Sequence, residues 1–295
     1  MSFKEDTSGS GNWELFDVSR LAIVEQAATE WKSILGSISK PWLCWCVDPN
    51  WCLLQQHMVM KAGWTPVVGV DSRSRNVKIL EGAVYIDFYR VAEAGGTVWM
   101  HFPLEFVHLF CERLAFWHSD LLPPLSVVFA MARQFEQLQN GQVCAVPCYS
   151  GRVSRALGRL GLSRFTLERW FELAGCTTRL ASQSQFVNGC GWWRNIAYHP
   201  NAKLNCKNRR RMNYDHGTGI LYWQRYLKGR VSKLAVDVEP YHYDTRKIRN
   251  AIAHPDGNFD KAKAMTEVYN INAIIKTLGI DTSLSELNAV SRWVT

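Results

Sequence analysis

No stretch of the chain approaches the ~18 consecutive apolar residues that a membrane-spanning helix needs. The opening MSFKEDTSGSGNW also lacks the apolar run of a secretory signal. A soluble, cytoplasmic protein without membrane partners is expected, in the host's cytoplasm if it is viral. Charged residues are scarce at 20% while apolar ones reach 47%, the reverse of the signature of disorder, so a packed core is expected. At 295 residues there is chain enough for one large α/β domain or two modest ones.

Several motifs are missing, and each absence removes a chemistry. The first apolar run is followed by DPNWC. That turn has no glycine to let backbone N–H groups approach a dinucleotide or S-adenosylmethionine. There is no GxxxxGK-type phosphate loop, no GxSxG nucleophile elbow and no pair of CxxC modules. P-loop, α/β-hydrolase and cysteine-zinc chemistries lose their usual carriers. Nine cysteines are an odd count, and Cys44, Cys46, Cys111 and Cys144 lie in apolar runs, so reduced core thiols are expected.

Residues 1–35 read as a polar, flexible tail followed by an amphipathic helix within Trp13–Leu35. WLCWCVD (42–48) and PVVGVDS (66–72) read as buried strands flanking a helix over Trp51–Lys61, with Asn50 as its N-cap and Gly63 at its end. Further strands are expected at 83–88, 97–102, 114–120 and 142–147, with helices at 104–113, 125–139, 151–160, 163–175 and 265–278. The whole predicts an α/β fold with a mostly parallel twisted sheet flanked by helices. A main domain over 36–262 would carry helical additions at both ends, the C-terminal one covering 263–295.

In such a sheet, ligands sit beyond the carboxyl ends of the strands. Those ends carry Asp48, Asp71 and His118-Ser119-Asp120. An acid at a strand end suits a divalent cation shared with a diphosphate, because hard cations take oxygen ligands. By itself, such an acid is more often a helix or loop cap, here ahead of LLPP.

The net charge of +8 is localised. Residues 203–233 hold nine Lys/Arg against one acid, Asp215, a surplus equal to that of the entire chain. Lys207, Arg209, Arg210, Arg211 and Arg225 lie there, interleaved with Tyr214, Tyr222, Trp223 and Tyr226. Clustered cations neutralise phosphates and aromatics stack on bases, so a polyanionic partner, above all DNA, is one reading and a solvated basic face the other. Trp192 and Trp193, beside Arg194, cannot both face inward on a regular strand. One is expected to be exposed and able to stack on a sugar or base.

Four stretches, taken in order, resemble the landmarks of GT-A fold glycosyltransferases of the glycogenin and galactosyltransferase kind. LAFWHSD resembles the strand ending in DxD, with His118 in place of the first Asp and Asp120 matching the last. FVNGCGWW resembles the stretch bordering the donor sugar, which implies that Asn188 and Gly189 lie beside it. YDHGTGILYW resembles the stretch near the reacting carbon, which implies catalytic roles for Asp215 and His216. HPDGNFDK resembles HxxGxxK with one extra residue, which implies that His254 completes a Mn²⁺ or Mg²⁺ site and that Gly257 and Lys261 meet the diphosphate. Asp48 and Asp71 would then contact the base and ribose of the nucleotide, strand-end capping being the alternative for both.

The resemblance, joined to the basic segment, leads to a metal-dependent transferase. It would move a sugar from a nucleotide-diphosphate donor to a hydroxyl on a modified base in duplex DNA, similar to base-modifying enzymes of bacteriophages. Two alternatives are a non-catalytic nucleic-acid-binding protein on an α/β scaffold and a glycosyltransferase with a protein or small-molecule acceptor.

Overall fold

The computed structural model describes residues 18–70, 76–88, 100–149, 152–153, 156–157, 160, 162, 167–188, 190–192, 217–254 and 261–290. Seven strands form one sheet: β1 (Pro41–Trp45), β2 (Thr65–Val70), β3 (Val84–Asp87), β4 (Arg113–Trp117), β5 (Gln142–Tyr149), β6 (Leu167–Thr178) and β7 (Arg230–Lys233). Their spatial order is β3-β2-β1-β4-β6-β5-β7. Strands β3, β2, β1 and β4 pair in parallel. Strand β6 runs antiparallel to both of its neighbours, and β5 and β7 are parallel to each other. Every strand except β6 therefore ends on the same edge of the sheet.

The described helices are α1 (Val18–Leu35), α2 (Pro49–Lys61), α3 (His101–Glu105), α4 (Val107–Phe110), α5 (Leu125–Glu136), α6 (Arg179–Val187), α7 (Thr218–Tyr226), α8 (Thr245–Ala253), α9 (Lys261–Leu278) and α10 (Leu284–Val290). They cover both faces of the sheet, which is why β1 and β4 read as unbroken apolar runs. Side chains alternate between the two cores. Leu43, Trp45, Leu114 and Phe116 join Trp31, Phe88 and Phe110 on one side. Trp42, Cys44, Ala115 and Trp117 join Trp51, Phe135 and Ile271 on the other.

The β-α-β reading of residues 41–72 holds: β1 and β2 are parallel with α2 between them. The cap of α2 is Asp48, however, and not Asn50. Its Oδ1 accepts the Asn50 N–H at 3.0 Å, and Pro49 opens the helix, where its missing N–H leaves no bond unmade.

Two other expectations fail. The strand expected over 97–102 is not found at its described end: Met100 is already helical in backbone and α3 begins at His101, while 97–99 lie outside the described residues. Among the described residues, the strand that leads to Asp120 is the fourth. The helix expected over 163–175 is contradicted by β6. Between β4 and β5 the backbone of LERWFELAGCTT completes two ladders, and its good helix formers yield to that tertiary pairing. Helix α9 begins at Lys261, beside the expected boundary at 262, and its Ile271 and Ile275 lie in the second core.

Candidate metal centre at the end of strand β4

Strand β4 leaves the sheet at Trp117, and the chain turns at once. His118 N–H still donates to the Leu173 carbonyl of β6 at 2.9 Å, while Leu121 N–H closes the turn on the His118 carbonyl at 3.1 Å. Gln55, a fully buried residue of α2, clamps this turn from below. Its side-chain amide donates to the carbonyls of His118 at 2.7 Å and Leu121 at 3.0 Å. The 239–243 segment then lies alongside. Leu121 and His242 form an antiparallel bridge, Leu122 N–H donates to Tyr241 O at 3.1 Å, and Tyr243 N–H donates to Asp120 O at 3.0 Å.

This pairing brings two histidines and one carboxylate together. His242 Nε2 is 3.0 Å from Asp120 Oδ1 and 3.3 Å from His118 Nδ1, and His118 Nδ1 is 3.9 Å from Asp120 Oδ1. Among the described residues, these three form the one group of His, Cys, Asp or Glu able to share a metal ion. Their side chains are 22%, 28% and 33% exposed for His118, Asp120 and His242, open enough for an ion and a ligand to enter. Ions bound at about 2.1 Å place neighbouring ligand atoms roughly 3.0–3.4 Å apart. Two of the three separations fall in that range and the third is half an ångström wider, so small side-chain motions would complete the set.

Charge around the site is anionic. Partial burial works against a charged His242, but the hydrogen bond it donates to Asp120 and the charges of Asp120, Glu172 and Asp244 outweigh it and raise its pKa. Phe171 of β6 packs edge-on to both imidazoles, at 5.8 Å from His118 and 6.4 Å from His242.

The structure brings the expected Asp120 and His118 together, but with His242 and not with the expected His254. His254 follows α8, is exposed, donates its N–H to Asn250 O and does not belong to the group. His242 supplies the third position instead. The signal that could have found it is its setting in VDVEPYHYD, an imidazole among acids and aromatics.

Asp48 takes the strand-end capping role that was the alternative to nucleotide contact. It is buried, caps α2 and pairs with Arg249 at 2.8 Å. Asn188 ends α6, its side-chain amide donating to Ser184 O at 2.7 Å. Trp192 is fully buried, packed edge-on against Phe116 at 5.0 Å, and offers no stacking surface. Arg225 is exposed and donates to the Leu167 carbonyl at 2.9 Å, and Lys261 opens α9. Asp71, Gly189, Trp193, Arg194, Lys207, Arg209, Arg210, Arg211, Asp215, His216 and Gly257 lie outside the described residues.

The described chain resumes at Gly217, whose carbonyl accepts the Trp170 N–H of β6, two residues from Glu172. A Cβ on Gly217 would sit 1.5 Å from the Trp170 carbonyl oxygen, so only glycine allows this approach. No protein-family model, curated protein or solved structure matches the chain.

Proposed function

We propose that this protein is a divalent-cation-dependent transferase that takes a sugar from a nucleotide-diphosphate donor, with DNA as the acceptor. The observation that carries the reading is the convergence of His118, Asp120 and His242 at the carboxyl end of β4, where an α/β sheet places its ligands. The mostly parallel sheet and the histidine from far downstream beside the strand-end acid support the GT-A-like reading.

Asp120 and the two imidazoles would hold Mn²⁺ or Mg²⁺. The bound ion would supply Lewis-acid stabilisation of the departing diphosphate, worth several kcal/mol of transition-state charge. The protein's own contribution is placement. Gln55 fixes the turn, the 239–243 segment fixes His242, and Phe171 shields the imidazoles on one side. Asp215 and His216 directly precede Gly217, whose contact with β6 brings the chain near this edge. This supports a role for the pair at the sugar carbon or the acceptor hydroxyl.

DNA as the acceptor is supported by the concentration of cations in 203–233. With Trp192 in the core, stacking on a flipped base would fall to Trp193. Duplex binding that weakens steeply as salt rises is the expected outcome, read by fluorescence anisotropy. Salt-independent or absent binding would move the acceptor to a protein or small molecule.

The activity itself is tested by incubating the protein with Mn²⁺ and a panel of nucleotide-diphosphate sugars and following nucleotide-diphosphate release. Turnover that disappears in Asp120→Asn and His242→Ala is expected. No turnover or thermal stabilisation with any donor would reject the transferase reading.

One observation favours a second reading. Two histidines with one carboxylate and open positions are also a donor set for non-haem Fe(II). Anaerobic Fe(II) binding far tighter than Mn²⁺ binding, with no response to any nucleotide, would favour that redox centre.

A further inference from the structure

We propose that Glu172 is a positioning residue that keeps the proton of His118 on Nε2 and so leaves Nδ1 free to bind a cation, an inference resting on the metal reading above. Glu172 stands where β6 departs from regular pairing. On β5, Ala145 pairs with Gly175 but the next residue, Val146, pairs with Phe171, so Glu172, Leu173 and Ala174 have no counterpart on that strand. Bulges of this kind re-aim side chains beside functional sites. Here the bulge brings Phe171 and Glu172 against the end of β4.

Glu172 is 7% exposed, and its Oε1 lies 4.0 Å from His118 Nε2, a buried nitrogen on the side of the ring away from the cluster. That separation is a charge contact longer than a hydrogen bond.

The hydrogen-bond geometry points to the same tautomer independently. An ionised carboxylate only accepts, so His242 Nε2, 3.0 Å from Asp120 Oδ1, is the donor of that pair. His118 Nδ1 is 3.3 Å from this same protonated nitrogen and therefore meets it as an acceptor. A neutral imidazole has one ring proton, which for His118 is then on Nε2, facing Glu172. The alternative tautomer would oppose two proton-bearing nitrogens inside the cluster and point a lone pair at a buried carboxylate. A carboxylate behind a metal-binding histidine commonly fixes its tautomer and orientation, and its loss typically lowers metal affinity about 10–100-fold.

The test uses full-length, metal-free protein labelled with ¹⁵N-histidine at pH 8. Two-bond ¹H–¹⁵N correlation reads the tautomers, His118 being assigned through His118→Gln. His118 is expected as a single Nε2–H form. In Glu172→Leu it should become a mixture of tautomers, and the Kd for Mn²⁺, followed by electron paramagnetic resonance, should rise about 10–100-fold. Glu172→Gln, which keeps the size of the side chain but loses the charge of this contact, should give the same mixture and the same loss of affinity.

A proton on Nδ1 in the unmodified protein overturns the proposal, and that spectrum decides even if the leucine variant does not fold. A leucine variant that keeps a single Nε2–H form overturns it too, whatever its Mn²⁺ affinity. Wild-type protein that binds no Mn²⁺ yet shows the Glu172-dependent tautomer would reject the metal reading and leave the Glu172–His118 coupling standing.

Discussion

At the scale of single residues, the candidate centre depends on which histidine meets Asp120. His242→Ala should weaken Mn²⁺ binding at least about 100-fold, since a direct ligand is worth no less than the groups behind it. Partly exposed as it is, its removal should leave the metal-free melting temperature nearly unchanged. His254→Ala should alter neither quantity. Calorimetric titration of both variants checks this, and the opposite pattern would return the third position to His254.

The thiols behave as a second residue-scale case. Among the described cysteines, seven are buried and Cys148 alone is partly accessible. Burial raises the Cys111 and Cys176 thiols well above their ordinary range and pushes Cys144 up to about 12, holding all three in the unreactive protonated form. Brief iodoacetamide treatment of the native protein, read by peptide mass spectrometry, should modify Cys148 ahead of the other seven.

At the scale of elements, Asp48 joins two parts of the chain that are 201 residues apart. It caps α2 and holds Arg249 of α8, so one carboxylate satisfies helix N–H groups and neutralises a guanidinium. Asp48→Ala should cost about 3 kcal/mol, combining a lost cap of roughly 1 kcal/mol with the breaking of a largely buried pair. Asp48→Asn, which can still cap, should cost visibly less. Urea denaturation of both variants measures the difference, and equal losses would mean that the ion pair contributes nothing.

Helix α10 offers a pH-dependent counterpart. Ser283 and Glu286 form a reciprocal capping box: Ser283 N–H donates to Glu286 Oε2 at 3.0 Å and Glu286 N–H donates to Ser283 Oγ at 3.3 Å. The hydroxyl of Thr282, and then the Ser283 N–H, hold the Glu286 carboxyl below its usual pKa. A depressed folded-state pKa contributes stability that is present above the unfolded value of roughly 4.3 and is lost as pH falls through the folded one. Amide exchange at Ser283–Glu286 should therefore accelerate on acidification below about pH 4.3, beyond the intrinsic trend, and Glu286→Gln should remove that step.

At the scale of the whole molecule, the two cores share one sheet, so an element packed on either face supports the same unit. Residues Val268, Ile271, Ile274, Ile275 and Leu278 of α9 belong to the second core with Trp51 and Met58 of α2. Deleting residues 261–295 should abolish cooperative thermal unfolding and expose apolar surface to a hydrophobic dye. A truncated chain that still melted cooperatively would show that the C-terminal helices are an independent addition.

Much of this architecture was legible in the sequence. Runs such as WLCWC and LAFW are apolar on both faces because helices cover both sides of the sheet, and the alternation of strand and helix follows from that burial. Asp120 and His118 were legible for the same reason, since a strand end followed by LLPP is a local feature. Chain contacts of long range were not legible. LERWFELAG carries good helix formers and becomes a strand only because β4 and β5 leave a gap that its backbone fills. With it, Glu172 and Phe171 move from a surface helix to the wall of the site. His242 lies 122 residues beyond Asp120, and no spacing rule connects them; a bridge between two irregular segments does.

The sequence by itself determined the α/β class, the covered sheet, the buried thiols and the place where the charge surplus lies, because each follows from local patterning of apolar, polar and charged groups. Tertiary structure alone decided that His242 stands beside the strand-end acid, that Trp192 is core and that Asp48 is taken by Arg249. Those are pairings between distant segments, settled by whichever register lets buried backbone groups find partners and both faces of the sheet stay covered.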